Sequence, residues 1–243
     1  MKYLDIPTLT RINSFLDNVD VGDLMVRGNL EAYSCKLAGL DKKLSRSLEE
    51  EVMESSSPSE LSKSPVGPLV DSNSRKTLIY LILTLNHIYP DYDFTLLRAQ
   101  HFCKEESLVG IQELVSARLL EAAKVWESTP GLGEEPLTDA VWAGIDEVIS
   151  LAESDVYRQV LECGSGYRSD LESDPFGEKG SVWSFNYFFY NKKAKRILYF
   201  SCRGMSKSAI ELSQTTDGAR YNTDTEGELE ADAATSMAND MDL

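Results

Sequence analysis

The chain is poor in positive charge. Of its 243 residues, 24 are Lys or Arg and 40 are Asp or Glu, a formal net charge of −16. Phosphate backbones are gripped by clustered Lys and Arg, so duplex DNA and RNA are poor ligands for this chain by itself. An anionic membrane surface is disfavoured on the same ground. Histidine is scarce, with His87 and His101 alone, and the cysteines at 35, 103, 163 and 202 never form a C-x-x-C knuckle. That spacing argues against structural zinc and for free thiols in a reducing compartment. Long apolar runs are missing as well. The longest, Leu78 to Leu85, is broken by Thr84 and falls far short of the ~20 residues that span a bilayer. No apolar h-region follows Met1–Pro7, so no secretory signal is expected. The sequence also lacks G-x-S-x-G, G-x-x-x-x-G-K-[ST] and H-E-x-x-H.

What is present points to one folded core with two polar appendages. Apolar residues make up 42% of the chain and aromatics 9%, which suits a globular protein carrying some disordered sequence. Residues 37–74 hold ten serines, three prolines and no aromatic ring. A segment of that composition predicts a disordered insertion, because it offers little apolar area to offset its ordering entropy. Residues 204–243 carry nine acidic and two basic side chains and predict a disordered acidic tail. Residues 1–36 and 75–203 then form a single core domain, since the first stretch is too short to fold alone and closing a longer loop costs little.

Periodicity supplies the elements. Leu9, Ile12, Phe15 or Leu16, and Val19 follow Pro7 at helical spacing. Val26 to Cys35 reads as a strand with a candidate interruption at Gly28. Ser74 is a candidate cap for a buried helix through Leu85, ended by Pro90. Two amphipathic stripes follow, Leu108 to Trp126 and Val141 to Leu151, separated by Pro130, Gly131, Gly133 and Pro136. Val182–Tyr190 and Arg196–Cys202 flank the five residues Asn191–Lys195, the pattern of a hairpin. Trp183, Phe185, Tyr187 and Phe189 share one face of its first strand, while Phe188 and Tyr190 lie on the other. Rings on both faces predict a central strand with helices over at least one side. The expected fold class is α+β, with helices packed on an antiparallel sheet.

Candidate chemistry is sparse. Asp91 and Asp93 in Pro90-Asp91-Tyr92-Asp93-Phe94 are either the start of a metal site or turn and capping residues, and a third ligand is missing. A small hydrolase built on this pair or on a histidine is the competing enzymatic reading. Asp174-Pro175-Phe176-Gly177 reads as a turn leading into the hairpin, with no Gly-rich loop to make it part of a kinase. Ser45 follows Lys42-Lys43-Leu44, the layout basophilic kinases favour, and Ser57-Pro58 and Ser64-Pro65 suit proline-directed kinases. Lys192, Lys193, Lys195 and Arg196 form the densest basic cluster, either a nuclear import signal or a solvated hairpin turn.

Several of these segments resemble one family. The run from Trp183 through Phe185, Asn186 and Tyr187 to Lys193, with Lys195-Arg196-Ile197 and Phe200-Ser201-Cys202-Arg203, resembles the C-terminal signature of the eukaryotic Maf repressors of RNA polymerase III transcription. Asp174, Pro175, Phe176 and Gly177 match the same signature. Asp91, Tyr92, Asp93 and Phe94 resemble its middle box, and Met1-Lys2-Tyr3-Leu4 with Tyr33, Ser34, Cys35 and Lys36 its N-terminal box. The resemblance implies a non-enzymatic regulator without cofactors or sequence-specific DNA binding. Such a protein binds RNA polymerase III near its clamp and blocks association with the initiation factor TFIIIB. Kinases of the TOR and cAMP-dependent types, and an opposing phosphatase, would control its shuttling between cytoplasm and nucleus through Ser45, Ser57 and Ser64. Lys192, Lys193, Lys195 and Arg196 would serve nuclear import. An adaptor without a polymerase role is the alternative.

Overall fold

The computed structural model describes residues 1–160 and 180–211. Among the described residues, one antiparallel sheet runs through the molecule in the order β1-β3-β7-β6-β5-β4, with β2 also paired to β3. Its strands are β1 (Lys2–Leu4), β2 (Val19–Asp20), β3 (Leu24–Ser34), β4 (Phe102–Glu105), β5 (Asp155–Gln159), β6 (Ser181–Asn191) and β7 (Arg196–Ser206). The helices are α1 (Pro7–Leu16), α2 (Gly39–Ser55), α3 (Pro58–Ser62), α4 (Ser72–Ile88), α5 (Leu108–Ser128) and α6 (Leu137–Ile149).

Strand alternation divides the interior into two cores. Phe185, Tyr187 and Phe189 of β6 join Leu198 and Phe200 of β7 beneath α1, α5 and α6. Phe188, Tyr190, Ile197 and Tyr199 point the other way, beneath α2 and α4. Helices thus cover both faces, which is why consecutive aromatic residues of β6 are all buried. Cross-strand partners share a side: Phe188 lies opposite Tyr199, their ring centroids 4.8 Å apart, an arrangement that adds stability beyond area burial.

Local signals explain most boundaries. Pro7 opens α1, where its fixed φ and missing N–H cost nothing. Ser107 accepts the N–H of Gly110 at 3.1 Å and caps α5. The hairpin turn is closed by Asn191, whose Oδ1 accepts the Ala194 N–H at 2.9 Å, and Lys195 there takes a left-handed φ of 51°. Asn191 pairs with Arg196 and so belongs to the strand, leaving a turn of four residues, 192–195.

Several expectations differ from what is observed. Residues 37–74, expected to be disordered, contain α2 and α3. Leu48 and Val52 of α2, with Val66 and Leu69 beyond α3, are buried against α4. The apolar side chains are few but fall at i, i+4 and i+8 (Leu44, Leu48, Val52), one stripe that α4 can cover. The cap of α4 is Asp71, which accepts the Asn73 N–H at 3.1 Å, and Ser74 sits inside the helix. Strand β3 runs through Gly28 without a break; there Leu16 and the Cys202 thiol close in to 3.1–3.2 Å of where a Cβ would stand. Val19 belongs to β2 rather than to α1. Strand β7 extends to Ser206, three residues into the stretch expected to be a disordered tail, and a helical turn follows at 207–211.

Between β1 and β2 the outer edge of β3 has no strand partner among the described residues, and a side chain fills the gap. Asn13 of α1 donates from Nδ2 to the Leu30 carbonyl and accepts the Leu30 N–H at Oδ1, both at 2.8 Å. The amide imitates one residue of a neighbouring strand, which satisfies backbone groups that burial would otherwise leave unpaired.

Candidate functional site

The serine-rich segment is a helical arm held by ion pairs at its flanks. Glu49 of α2 meets Arg75 of α4 at 3.4 Å, and Glu51 pairs with Arg98. Asp41, in the first turn of α2, takes the Met1 ammonium and lies 3.1 Å from Nε2 of His87. The three serines sit differently on this arm. Ser45 is a half-buried interior residue of α2. It stands four residues after Asp41 and four before Glu49, so all three side chains project from one helix face. Ser57 caps α3 in a capping box: its Oγ accepts the Glu60 N–H at 3.3 Å, and the Glu60 carboxylate accepts the Ser57 N–H at 2.9 Å. The Ser57 N–H and the Ser57 hydroxyl, which donates to the same carboxylate at 2.8 Å, hold the Glu60 carboxyl below the usual carboxylate range. Ser64 donates to the Gly67 carbonyl at 2.5 Å, across a turn that Gly67 makes with a φ of 104°.

The basic hairpin turn is engaged within the fold. Lys192 pairs with Asp155 at 2.9 Å, Lys193 with Glu153 at 2.9 Å, and Arg196 donates to the Val148 carbonyl at 3.0 Å. Asp155 also binds Lys104 at 2.7 Å. Burial acts to raise the Asp155 carboxyl, and the two lysines more than offset it, so its pKa is lowered. The Lys195 carbonyl accepts the Cys35 N–H at 2.9 Å, bringing the N-terminal box against the basic turn.

The other motif residues are structural. Trp183 stacks on Phe185 with planes 11° apart, and Arg118 lies 5.6 Å above the Trp183 ring. The same indole lies over Gly204, where a Cβ would meet it at 2.4 Å. Asn186 accepts the Gln159 N–H at 3.0 Å where β5 parts from β6. Tyr187 is buried in the core beneath α5. Tyr33 donates to Glu31, Ser34 Oγ accepts the Lys36 N–H at 3.3 Å, and burial pushes the Cys35 thiol up to about 12. In the middle box Asp93 Oδ1 accepts the Thr95 N–H at 2.9 Å, the turn role weighed above. Tyr92 packs edge-on to Tyr89, and Phe94 is buried with its N–H donated to Asn86. Of the histidines, His101 accepts the Arg98 N–H at Nδ1, 2.8 Å away. Among the described residues no three His, Cys, Asp or Glu converge as metal ligands. Asp174, Pro175, Phe176, Gly177 and Cys163 lie outside the described residues.

The half of the sheet beyond Tyr89, on the α2–α4 side, is marked in the sequence only on β6 and β7, where Asn186, Ser201 and Arg203 belong to the C-terminal signature, while Arg27 and Asn29 of β3 fall in no motif. There β3, β7 and β6 present polar residues, among them Arg27, Asn29, Ser201 and Arg203, along a groove of about 730 Å³. Arg27 and Arg203 are cross-strand partners separated by most of the chain. A second trace in the sequence is the alternation Ile197, Tyr199, Ser201, Arg203, in which one strand face turns from apolar to polar.

Fold and site together define a three-layer α/β/α protein with a clipped, serine-bearing helical arm. A family model described as "Maf1 regulator" matches residues 26–201. The chain is 36% identical to the "Repressor of RNA polymerase III transcription" of Dictyostelium discoideum, over 86% of this chain and 87% of that protein. It is 35% identical to the "Repressor of RNA polymerase III transcription maf1" of Schizosaccharomyces pombe, over 85% and 84%. A crystal structure of citrus MAF1 superposes with a TM-score of 0.63 at 40% identity, covering 82% of this chain and 99% of that one. The chain belongs to the Maf1 regulator family.

Proposed function

We propose that this protein represses RNA polymerase III transcription as a non-enzymatic regulator. It would bind the polymerase near its clamp and prevent productive association with TFIIIB. The observation that carries the reading is the identity to named polymerase III repressors along most of the chain. Charge supports it: a body of net charge −16 is steered toward the basic surfaces of a nucleic-acid machine.

Control would lie in the arm. A phosphate on Ser45 adds about −1.5 to −2 charges between Asp41 and Glu49, against one cation at i−3, Lys42. Repulsion falls on two of the three residues whose ion pairs clip α2 to its neighbours. A phosphate on Ser57 faces the Glu60 carboxylate of the capping box, and one on Ser64 removes the donor to Gly67. Each modification loosens the arm, and kinases of the cAMP-dependent and TOR types suit the respective motifs, with a phosphatase reversing them. Lys192, Lys193, Lys195 and Arg196 would act in nuclear import when their turn is released from Asp155 and Glu153, giving a protein that shuttles between nucleus and cytoplasm.

The test is transcription of a tRNA gene in a reconstituted polymerase III system with purified protein. The expected result is a dose-dependent fall in transcript that Ser45→Glu weakens and Ser45→Ala does not. Full transcript levels with every form, added before or after TFIIIB, would overturn the reading.

A further inference from the structure

Helix α2 is weakly built and attached on one side. Its C-terminal half carries Glu49, Glu50, Glu51 and Glu54, with no basic residue in the last turn, where the helix dipole favours cations. Its N-terminus has no side-chain cap, and Gly39 enters it with a left-handed φ of 54°. It joins no strand ladder, and its main contact is α4. Leu48 and Val52 are buried there and Leu44 is half-buried. Across that contact, α4 holds Leu78, Ile79, Leu81, Ile82, Leu83 and Leu85 between the sheet and the arm.

The arginines that meet α2 are fixed from elsewhere. Arg75 donates from Nη1 to the carbonyls of Leu69 and Val70 at 2.7 and 2.9 Å. Arg98 donates from Nη1 to those of Thr95 and Leu97 at 3.2 and 3.1 Å. None of these carbonyls belongs to α2, so both guanidinium groups keep their places when Glu49 and Glu51 withdraw. What remains is an apolar helix face flanked by two positioned arginines, in a chain of net charge −16.

We propose that α2 is the internal occupant of a helix-binding surface on α4, and that the form with α2 released binds an acidic amphipathic helix of another protein. The chemistry of that helix is set by α2 itself. It carries apolar side chains at i, i+4 and i+8 and a carboxylate on each side of the stripe, as Glu49 and Glu51 flank Leu48 and Val52. The guanidinium fork of each arginine matches such a carboxylate. A nucleic acid offers anions but nothing to cover the apolar face. Release is the loosening by phosphate at Ser45 proposed above for control of the arm, so a partner of this class tells modified protein from unmodified.

The probe is a dye-labelled peptide of residues 39–55, titrated with the full chain and read by fluorescence polarisation. Leu48→Ser combined with Val52→Ser opens the arm by removing its apolar anchors, and Ser45→Glu opens it by charge. Wild type should bind weakly, because its surface is occupied, and both opened forms about tenfold or more tightly. Added to the Leu48→Ser, Val52→Ser form, Arg75→Gln or Arg98→Gln should weaken binding about five- to tenfold, the size of one lost charge-assisted contact. Lys124→Gln, the same charge change at an exposed position of α5, should stay within about twofold. Hydrogen exchange of the unmutated chain decides the matter even if a variant misfolds, since α2 amides should exchange about tenfold or more faster than those of α4. Equal affinity for closed and opened forms, no binding to any form, exchange of α2 and α4 as one unit, or a Ser45→Glu dimer that swaps α2 would each overturn the proposal. Tight binding by the Leu48→Ser, Val52→Ser form alone would keep the surface and refute Ser45 as its release. The assay contains no polymerase, so repression can fail while the peptide binds, and the peptide can fail while repression stands.

Discussion

Replacing Asn13 by Ala should destabilise the whole domain, although Asn13 is a half-buried helix residue outside every recognised motif. Its amide makes two hydrogen bonds of 2.8 Å to one residue of β3. Leu30 is fully buried, and on the edge of β3 away from β7 its backbone meets Asn13 of α1 rather than a strand. Each bond lost costs about 0.5–1.5 kcal/mol net, and a buried group left unpaired costs about 1–3 kcal/mol. With partial access of water to the gap, the sum is about 3 kcal/mol. For a domain of this size that corresponds to a fall in Tm of roughly 6–12 °C. Urea and thermal unfolding followed by circular dichroism would measure it. Asn13→Asp sharpens the test. It keeps the acceptor for the Leu30 N–H but turns an oxygen toward the Leu30 carbonyl, so at neutral pH it should cost at least as much. Below about pH 4 the carboxyl regains a proton and a donor, and its deficit relative to wild type should shrink while that of Asn13→Ala does not. A loss under about 0.5 kcal/mol for Asn13→Ala would refute the view that this amide stands in for a strand.

Three further outcomes are expected. Ser57→Ala removes the cap of α3 and should cost about 1 kcal/mol, seen as faster amide hydrogen exchange over 57–62; unchanged exchange there would mean the cap does not hold the arm. Gly204→Ala drives a methyl into the Trp183 indole and should cost about 1–3 kcal/mol with a shift in tryptophan emission; wild-type stability and emission would show that the ring moves aside freely. Asp155 has a lowered pKa in the folded protein, so its contribution to stability is complete above the ordinary carboxylate value and lost as pH falls through the folded value. Lys104→Met removes one of its two cations and should move the acid-unfolding midpoint to higher pH, and an unmoved midpoint would place the acid sensitivity elsewhere.

Much of the fold was legible because its signals are local. The stripe from Ile111 to Trp126 and the alternating rings of Trp183–Tyr190 announce a helix and a doubly covered strand without knowledge of their partners. Strands β1, β2, β4 and β5 were not legible. They run from two to five residues, too few for alternation to stand out, and they are extended because β3, β5 and β6 offer them hydrogen bonds. The arm was misjudged for a related reason. Composition over 37–74 weighs serine and proline heavily, yet Leu44, Leu48 and Val52 form a narrow stripe that becomes worth burying once α4 lies across from it.

The chemistry divides the same way. The sequence by itself established the charge sign, the serine motifs, the basic turn and the aromatic signature, because each is written in neighbouring residues. Tertiary structure alone decided that the basic turn is neutralised by Asp155 and Glu153, that Asn13 completes a strand edge, and that Arg27 meets Arg203. Hydrogen bonds and charge pairs act over a few ångströms in space, and residues far apart in the chain come within that range only when the sheet has set its register.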